Sequence, residues 1–357
     1  MHRFARLCLL PLLPLTLADS LEWSPAEGAE LTKTFHHEGA SELTDFWFSI
    51  DGEDMTAMAG DLYVESISEL TVVVADECVA VDEGRVEHFR RTFDTIGMTT
   101  EFEMTVAGSP VAQETPAVSE LEGATVEFRW DAEADEWQKS FDDESEVVPD
   151  EALLAGLVAD MDMQILLPDE PVEAGDSWEV DISELMALLQ PGGNLGLVPA
   201  GMEDMGVDLD QVTTMIEDVQ ERFVDEFANW GDGGFVCTYR GTRSEDRGTI
   251  GVVGLELDMT VEADLTALLN DLLASITEEV GMPIEIDIHS AVMDGSASGS
   301  GELTWNIDTG QLDASTLDAS YEATFEFEVE GGTDAQTSLV ECAFSLEGSQ
   351  LYEATTE

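Results

Sequence analysis

The sequence predicts an α+β protein, mainly antiparallel β, with one or two large curved sheets and amphipathic helices packed on one face. Three observations predict it. Apolar and polar residues alternate with a period of two near both ends of the chain. The middle and one later segment switch to helical spacing. Turn chemistry such as Asp51-Gly52 separates the extended runs. A many-stranded sheet cannot leave its apolar face to water, so the helices are expected to cover it.

Residues 31–141 are mostly strand-like. Phe46, Trp47, Phe48, Ser49 and Ile50 lead into Asp51-Gly52; residues 70–81 are rich in β-branched side chains; Phe102, Met104 and Val106 alternate. The clearest hairpin joins residues 125–130 to 136–141, with Val126, Phe128 and Trp130 on one face and Trp137, Lys139 and Phe141 on one face of the return. Leu153, Leu154, Leu157 and Val158 then fall at helical spacing. Ser183 caps a short helix carrying Leu185, Met186, Leu188 and Leu189, ended by Pro191-Gly192-Gly193. The strongest helical stripe is Val212, Met215, Ile216, Val219, Phe223 and Phe227, within residues 210–228. A last helix follows Asp264, with Leu265, Leu268, Leu269, Leu272, Leu273, Ile276 and Val280, and closes at Gly281 and Pro283.

Strands are expected again over 234–241, 249–261, 284–292, 301–307, 319–329 and 338–346. Between two of them, Gly295-Ser296-Ala297-Ser298-Gly299 reads as a flexible hairpin or a bulge. It is no nucleophile elbow, because Ala297 holds the centre and both flanks are strand-like. Glu127-Phe128-Arg129-Trp130 and Glu302-Leu303-Thr304-Trp305 echo one another, which fits either two related β halves or shared hairpin chemistry. The chain divides into a targeting segment (1–18), a β-rich half (19–165) and an α+β half (166–357), the two halves being separate or one continuous domain.

The targeting segment has a basic start at Arg3 and Arg6, an apolar stretch over 7–17, and small residues before a cleavage expected after Ala18. Arg6 places a charge where a lipoprotein signal at Cys8 needs small or apolar residues, so no lipid anchor is expected, nor a transmembrane one. Periplasmic or extracellular export follows as an expectation.

With 79 acidic against 12 basic residues, the net charge is −67, while 43% of residues are hydrophobic. That apolar content separates the chain from disordered acidic proteins. The charge excludes nucleic acid as a partner and calls for counter-cations, as in a saline habitat or a cation-rich envelope.

Candidate chemistry is thin. Carboxylate pairs such as Glu65 with Glu69, or Asp160 with Asp162, arise readily in so acidic a chain and read first as solvated faces. His36 and His37 point to opposite faces of an extended segment, and neither they nor His88 and His289 have zinc-ligand spacing. Asp51-Gly52-Glu53-Asp54 and residues 204–210 cluster oxygens without EF-hand spacing, so weak, adventitious calcium binding is the most they imply; no cofactor is expected. Beyond Cys8, Cys78, Cys237 and Cys342 leave room for one disulfide in an exported protein; Cys237 with Cys342 is the favoured pair, against three buried thiols. Leu195, Leu197, Val198, Met202, Met205 and Met215 are candidates for an apolar pocket under the sheet, with ordinary core as the plainer reading.

Leu167-Pro168-Asp169-Glu170-Pro171-Val172-Glu173-Ala174-Gly175-Asp176-Ser177-Trp178 resembles the L-P-x-x-P-V-x-x-G-D-[ST]-W segment of a loosely defined group of secreted, β-rich bacterial proteins of unknown function, common in planctomycetes. The likeness extends over about residues 120–320, including the strand pair around Trp305 and Gly310. It implies an envelope-side fold of the half-barrel type used by lipoprotein carriers, and it transfers no activity. Physically the motif is a joint: Pro168 and Pro171 keep it extended, Gly175-Asp176 turns it, and Trp178 starts a strand.

Three functions follow in order: a non-enzymatic exported protein binding an apolar small molecule or an envelope component; an acidic cation-holding structural or interaction protein of a saline envelope; and, last, a hydrolase using paired carboxylates.

Overall fold

The structure, a computed structural model, describes residues 18–60, 62–82, 84–106, 108–143, 145, 147–181, 190–200, 231–280, 285–333 and 336–357. Among these residues fourteen strands form one sheet. In chain order they are β1 (Glu30–Ile50), β2 (Glu53–Asp54), β3 (Tyr63–Asp82), β4 (Arg85–Val106), β5 (Ser109–Val118), β6 (Thr125–Asp131) and β7 (Glu136–Phe141). There follow β8 (Ser177–Val180), β9 (Val198–Pro199), β10 (Gly231–Glu245), β11 (Gly248–Asp264), β12 (Glu285–Asn306), β13 (Gln311–Thr333) and β14 (Gln336–Thr356). The described helices are α1 (Thr56–Ala59) and α2 (Thr266–Val280), with 3-10 turns at Glu151–Leu154 and Gln164–Leu166.

Neighbours run β7-β6-β4-β3-β1-β14-β13-β12-β11-β10-β8, and the strand pairs are antiparallel. The first long strand pairs with the last, so a single sheet runs through both halves of the chain. Among the described residues the path ends at β7 and β8 without closing. Side chains as far apart along it as Phe128 of β6 and Phe235 of β10 nevertheless share one core cluster. The sheet is therefore a trough, with one concave and one convex face.

Alternation assigns the faces. Along β1, Leu31, Lys33 and Phe35 are buried. Across the register Phe35 lies beside Val72 and Ala354, and His37 beside Leu70 and Tyr352. The convex face takes the acids. Glu322, Glu347, Glu42, Glu65 and Glu103 stand directly opposite one another on five successive strands.

The Gly/Ser-rich stretch is neither hairpin nor bulge: Gly295, Ala297, Gly299 and Gly301 lie inside β12, paired to both β11 and β13. A Cβ on Gly301 would lie 2.0 Å from the carbonyl oxygen of Thr316, and one on Gly299 2.8 Å from that of Asp318. These positions face the inside of the bend, where neighbouring backbones crowd, so the composition that imitates a loop is what a tightly curled strand requires.

Leu153 to Val158 form no helix beyond the 3-10 turn. The chain is captured instead by its partner segment, with Val158 N–H donating to Gly192 O and Asn194 N–H to Gly156 O. The helix read after Asp264 is α2, and Asp264 Oδ1 accepts the Thr266 N–H at 3.0 Å. It docks where β11 ends: Asn270 exchanges two hydrogen bonds with the Ile288 backbone and Thr266 Oγ1 accepts Ala291 N–H, which satisfies β12 groups that no strand reaches. The expected helices at 183–190 and 210–228 and the targeting segment fall outside the described residues, apart from Gln190 and Ala18.

Candidate functional site: a plugged trough

One end of the concave face is filled. Leu157, Met161, Leu166, Val172 and Leu195 enter it from the connection between β7 and β9 and pack against Phe89, Phe93, Phe128, Val74 and Trp305. The Leu-Pro motif forms one wall of this plug. Leu167 is extended ahead of Pro168, Val172 bridges to Asp19, Gly175 takes φ 102°, and Trp178 on β8 donates its indole N–H to Leu166 O at 3.2 Å.

Charged groups pin the plug to the sheet. Lys33 Nζ lies 2.8 Å from Asp76 Oδ2 and 2.6 Å from Asp162 Oδ2. Arg91 grips Asp76 with two N–H···O bonds of 2.8 Å and reaches the plug through the carbonyls of Val158 and Ala159. All four side chains are at most 3% exposed. Burial pushes the Asp76 carboxyl up, but Arg91 and Lys33 outweigh it and hold it at about 2. Burial likewise pulls the Lys33 ammonium down, and the carboxylates of Asp162 and Asp76 more than restore it. Asp160, raised by burial and by the charge of Asp162, accepts the backbone N–H groups of Asp162 and Gln164. Asp160 and Asp162, expected on a solvated face, instead hold the plug, with Asp162 only 1% exposed. Glu65 and Glu69 stand opposite Glu42 and Glu38 on the convex face, where Glu69 is 62% exposed as a solvated face requires.

Beyond the plug the trough continues. Concave-facing positions pass from Gly39, Ser41 and Leu43 to Phe46, Phe48 and Ile50 on β1, the change of parity arising at a bulge beside Thr44. Facing them are Leu346, Phe344, Cys342 and Val340 on β14, then Phe325 and Phe327 on β13. These side chains are half-buried. Phe344 stacks at 4.9 Å on Phe325 and 5.8 Å on Phe327. Leu268 and Leu269 of α2 pack against the Phe325–Phe327 side with Met259, Val261 and Met293.

At the junction lies a cleft of about 290 Å³. His37, Ser68, Leu70 and Met98 form its floor, and the plug segment around Leu195 and Leu197 its roof. Two of the expected pocket residues, Leu195 and Leu197, are here; Val198 lies in β9 paired to Val118 of β5. Met202, Met205 and Met215 lie outside the described residues. A second cleft, about 490 Å³, opens beside the plug between Trp23, Trp137, Arg85 and Asp160. Sequence reading missed the polar floor at His37 and Ser68, because its members come from strands remote in the chain.

The three described cysteines are free thiols, which corrects the expected Cys237–Cys342 disulfide. Cys237 lies on β10 and Cys342 on β14, with β11, β12 and β13 between them. Four strand spacings of about 4.8 Å far exceed the Cα separation of roughly 6 Å that a disulfide spans. Burial raises Cys237 to about 12 and Cys78 to about 11, the latter helped by Asp76, so both stay protonated. His36 and His37 do separate to opposite faces, near Thr71 and Gln350. Asp51 and Asp54 hold backbone N–H groups of Leu339 and Thr56. Among the described residues there is no group of three potential metal ligands, and no helix is long and apolar enough to cross a membrane.

No family model and no curated protein matches the chain. Among solved structures, Pseudomonas aeruginosa OccK7 (OpdD) aligns at 6% identity over 92% of this chain and 98% of its own, with a TM-score of 0.19. A mutant of Rh. blastica porin aligns at 9% identity over 89% of this chain and 100% of its own, with a TM-score of 0.12. Likeness at that level carries no argument about fold or function.

Proposed function

We propose that this is a non-enzymatic exported protein that carries an apolar ligand of the acyl-chain class in its trough. One observation carries the reading. A chain with net charge −67 lines one continuous face with Leu43, Phe46, Phe48, Phe325, Phe344 and Leu346, and leaves them half-buried. Large apolar surface of this kind marks a binding site. The four rows from Leu43 and Leu346 to Ile50 and Val340 extend about 20 Å at ~3.3 Å per residue, which matches a single acyl chain. The targeting segment and the resemblance to secreted β-rich bacterial proteins agree with export.

The test is displacement of N-phenyl-1-naphthylamine from the purified, delipidated protein. Wild type should bind the probe at micromolar concentration, and Phe344→Asp should lose at least about ten-fold, a carboxylate in an apolar site costing more than 1.4 kcal/mol. No binding by wild type, or equal binding by the variant, sinks the proposal.

A second reading, a cation-holding envelope protein, is favoured by the row of five glutamates on the convex face. Like charges directly opposite across strands destabilise a sheet, and counterions relieve them. On this reading the melting temperature climbs with sodium chloride and further with millimolar calcium, and Glu347→Gln flattens the climb. Indifference to both salts counts against it.

A further inference from the structure

The cleft at the edge of the plug carries polar chemistry that an acyl chain does not use. Gly39 on β1 lies between Ser68 of β3 and Gln350 of β14. The space that a Cβ on Gly39 would occupy is ringed by polar atoms, Gln350 Oε1 at 2.7 Å and Ser68 Oγ at 2.9 Å. Gln350 Oε1 in turn accepts a hydrogen bond from His37 Nε2, and the His37 ring stacks on Tyr352 at 4.3 Å. That bond keeps the hydrogen on Nε2 and leaves Nδ1 as an acceptor. Burial lowers the pKa of His37, and the bond to Gln350 only partly offsets it, so the ring is neutral at pH 7. Among the described residues Ser68 Oγ has no hydrogen-bond partner.

Charge narrows what fits. Among the described residues lining the cleft, none is a carboxylate, lysine or arginine. Lys33 and Arg91, cations on the same face, are already bound to Asp76 and Asp162. An anionic head would enter a strongly negative protein and meet no counter-charge, at a cost in desolvation. A hydroxyl matches both the Nδ1 acceptor and the Ser68 hydroxyl. Polar groups held in an otherwise apolar site fix orientation and reject molecules that leave them unpaired.

We propose that the cradle over Gly39 is the head-group seat of the trough, taking the uncharged, hydroxylated head of a single-chain amphiphile of the monoacylglycerol class. The tail then runs past Leu43 and Leu346 toward Phe46 and Phe344. This rests on the apolar-ligand reading above, and the experiment separates the two. Monoolein and oleate, which share a tail and differ in the head, are titrated below their aggregation limits against the full, delipidated chain carrying N-phenyl-1-naphthylamine. Wild type should bind monoolein at least about ten-fold tighter than oleate, the value of one or two hydrogen bonds made or left unmade. Ser68→Ala and His37→Leu should each lower monoolein affinity several-fold, Gly39→Ala should do so by filling the cradle, and none should weaken oleate. Ser68→Ala is the control against misfolding, because it removes only one oxygen. Equal affinity of wild type for the two lipids, or a preference that survives Ser68→Ala, overturns the head-group seat and leaves the apolar reading intact. Displacement by neither lipid overturns both.

Discussion

Lys33→Met tests how the plug is held. The substitution keeps the length of the stem and removes the ammonium. Asp76 retains both of its bonds to Arg91, so it stays paired. Asp162 loses its cation while 1% exposed, and its Oδ1 already lacks a partner. Removing one member of a buried pair typically costs about 3–5 kcal/mol, most of it from the charge left behind. The cost should fall on Asp162, and so on the segment around Met161 and Leu166 that it anchors. For a chain of this size about 2 °C accompanies each kcal/mol, so Tm should fall by roughly 6–10 °C. The assay is thermal and chemical denaturation followed by tryptophan emission, since Trp23 and Trp137 flank the plug. Lys33→Met/Asp162→Leu should recover about 2 kcal/mol or more, because an apolar pair replaces an unpaired charge. A single variant within about 1 kcal/mol of wild type, or a double variant no more stable than Lys33→Met, would refute the reasoning.

Stability should depend on pH in two opposed ways. Asp76, held at about 2, contributes stability that is complete above the unfolded carboxyl value of roughly 4 and is lost as pH falls toward 2. Asp160, raised, acts in reverse, so stability should grow as pH falls from its folded value toward about 4. Denaturant midpoints measured from pH 7 to 2 should therefore rise before they collapse, and Asp160→Asn should remove the rise; a monotonic fall in wild type would count against the assignment. Gly301→Ala should destabilise by about 1–3 kcal/mol, because its Cβ would sit 2.0 Å from Thr316 O, whereas Gly331→Ala, with its nearest outside atom 4.0 Å away, should be close to neutral. Equal effects at the two glycines would argue against tight curling at Gly301.

The period-two alternation made the trough's two faces readable in advance, because a strand's side-chain period is independent of its partners. The hairpin of β6 and β7 and the helix after Asp264 were readable for the same local reason. Elements whose residues answer to distant chain were not. Leu153, Leu154, Leu157 and Val158 keep helical spacing, yet Val158 N–H donates to Gly192 O and Gly156 O accepts from Asn194 N–H, so the segment becomes a plug. Gly295 to Gly301 carry loop composition because a concave bend needs small side chains, a demand set by neighbouring strands. The network of Lys33, Asp76, Arg91 and Asp162 spans up to 129 residues of sequence and has no spacing to detect. Lysine stands only at positions 33 and 139, and Lys139 Nζ likewise holds the plug, donating to the carbonyls of Ala155 and Leu157 at 3.1 and 2.7 Å.

That pattern explains how a trough can be half filled. An apolar concave face offers a plug many positions of similar hydrophobic free energy, because burial is non-directional. Hydrophobic contact alone would not keep residues 157–166 at one end. Ion pairs and backbone bonds act over a few ångströms and demand one geometry. Lys33 with Asp162, Arg91 with the carbonyls of Val158 and Ala159, and Lys139 with Ala155 and Leu157 fix the segment against β1, β4 and β7. Such a network adds little net stability over apolar packing. Its use here is positional: it stops the plug from sliding into the aromatic half. If so, Lys33→Met/Asp162→Leu should fold, with about 2 kcal/mol or more recovered over Lys33→Met, and still bind N-phenyl-1-naphthylamine less well, because its plug keeps only the Arg91 and Lys139 bonds and can shift toward the groove. Undiminished binding by that double variant would mean that the Lys33–Asp162 pair does not place the plug.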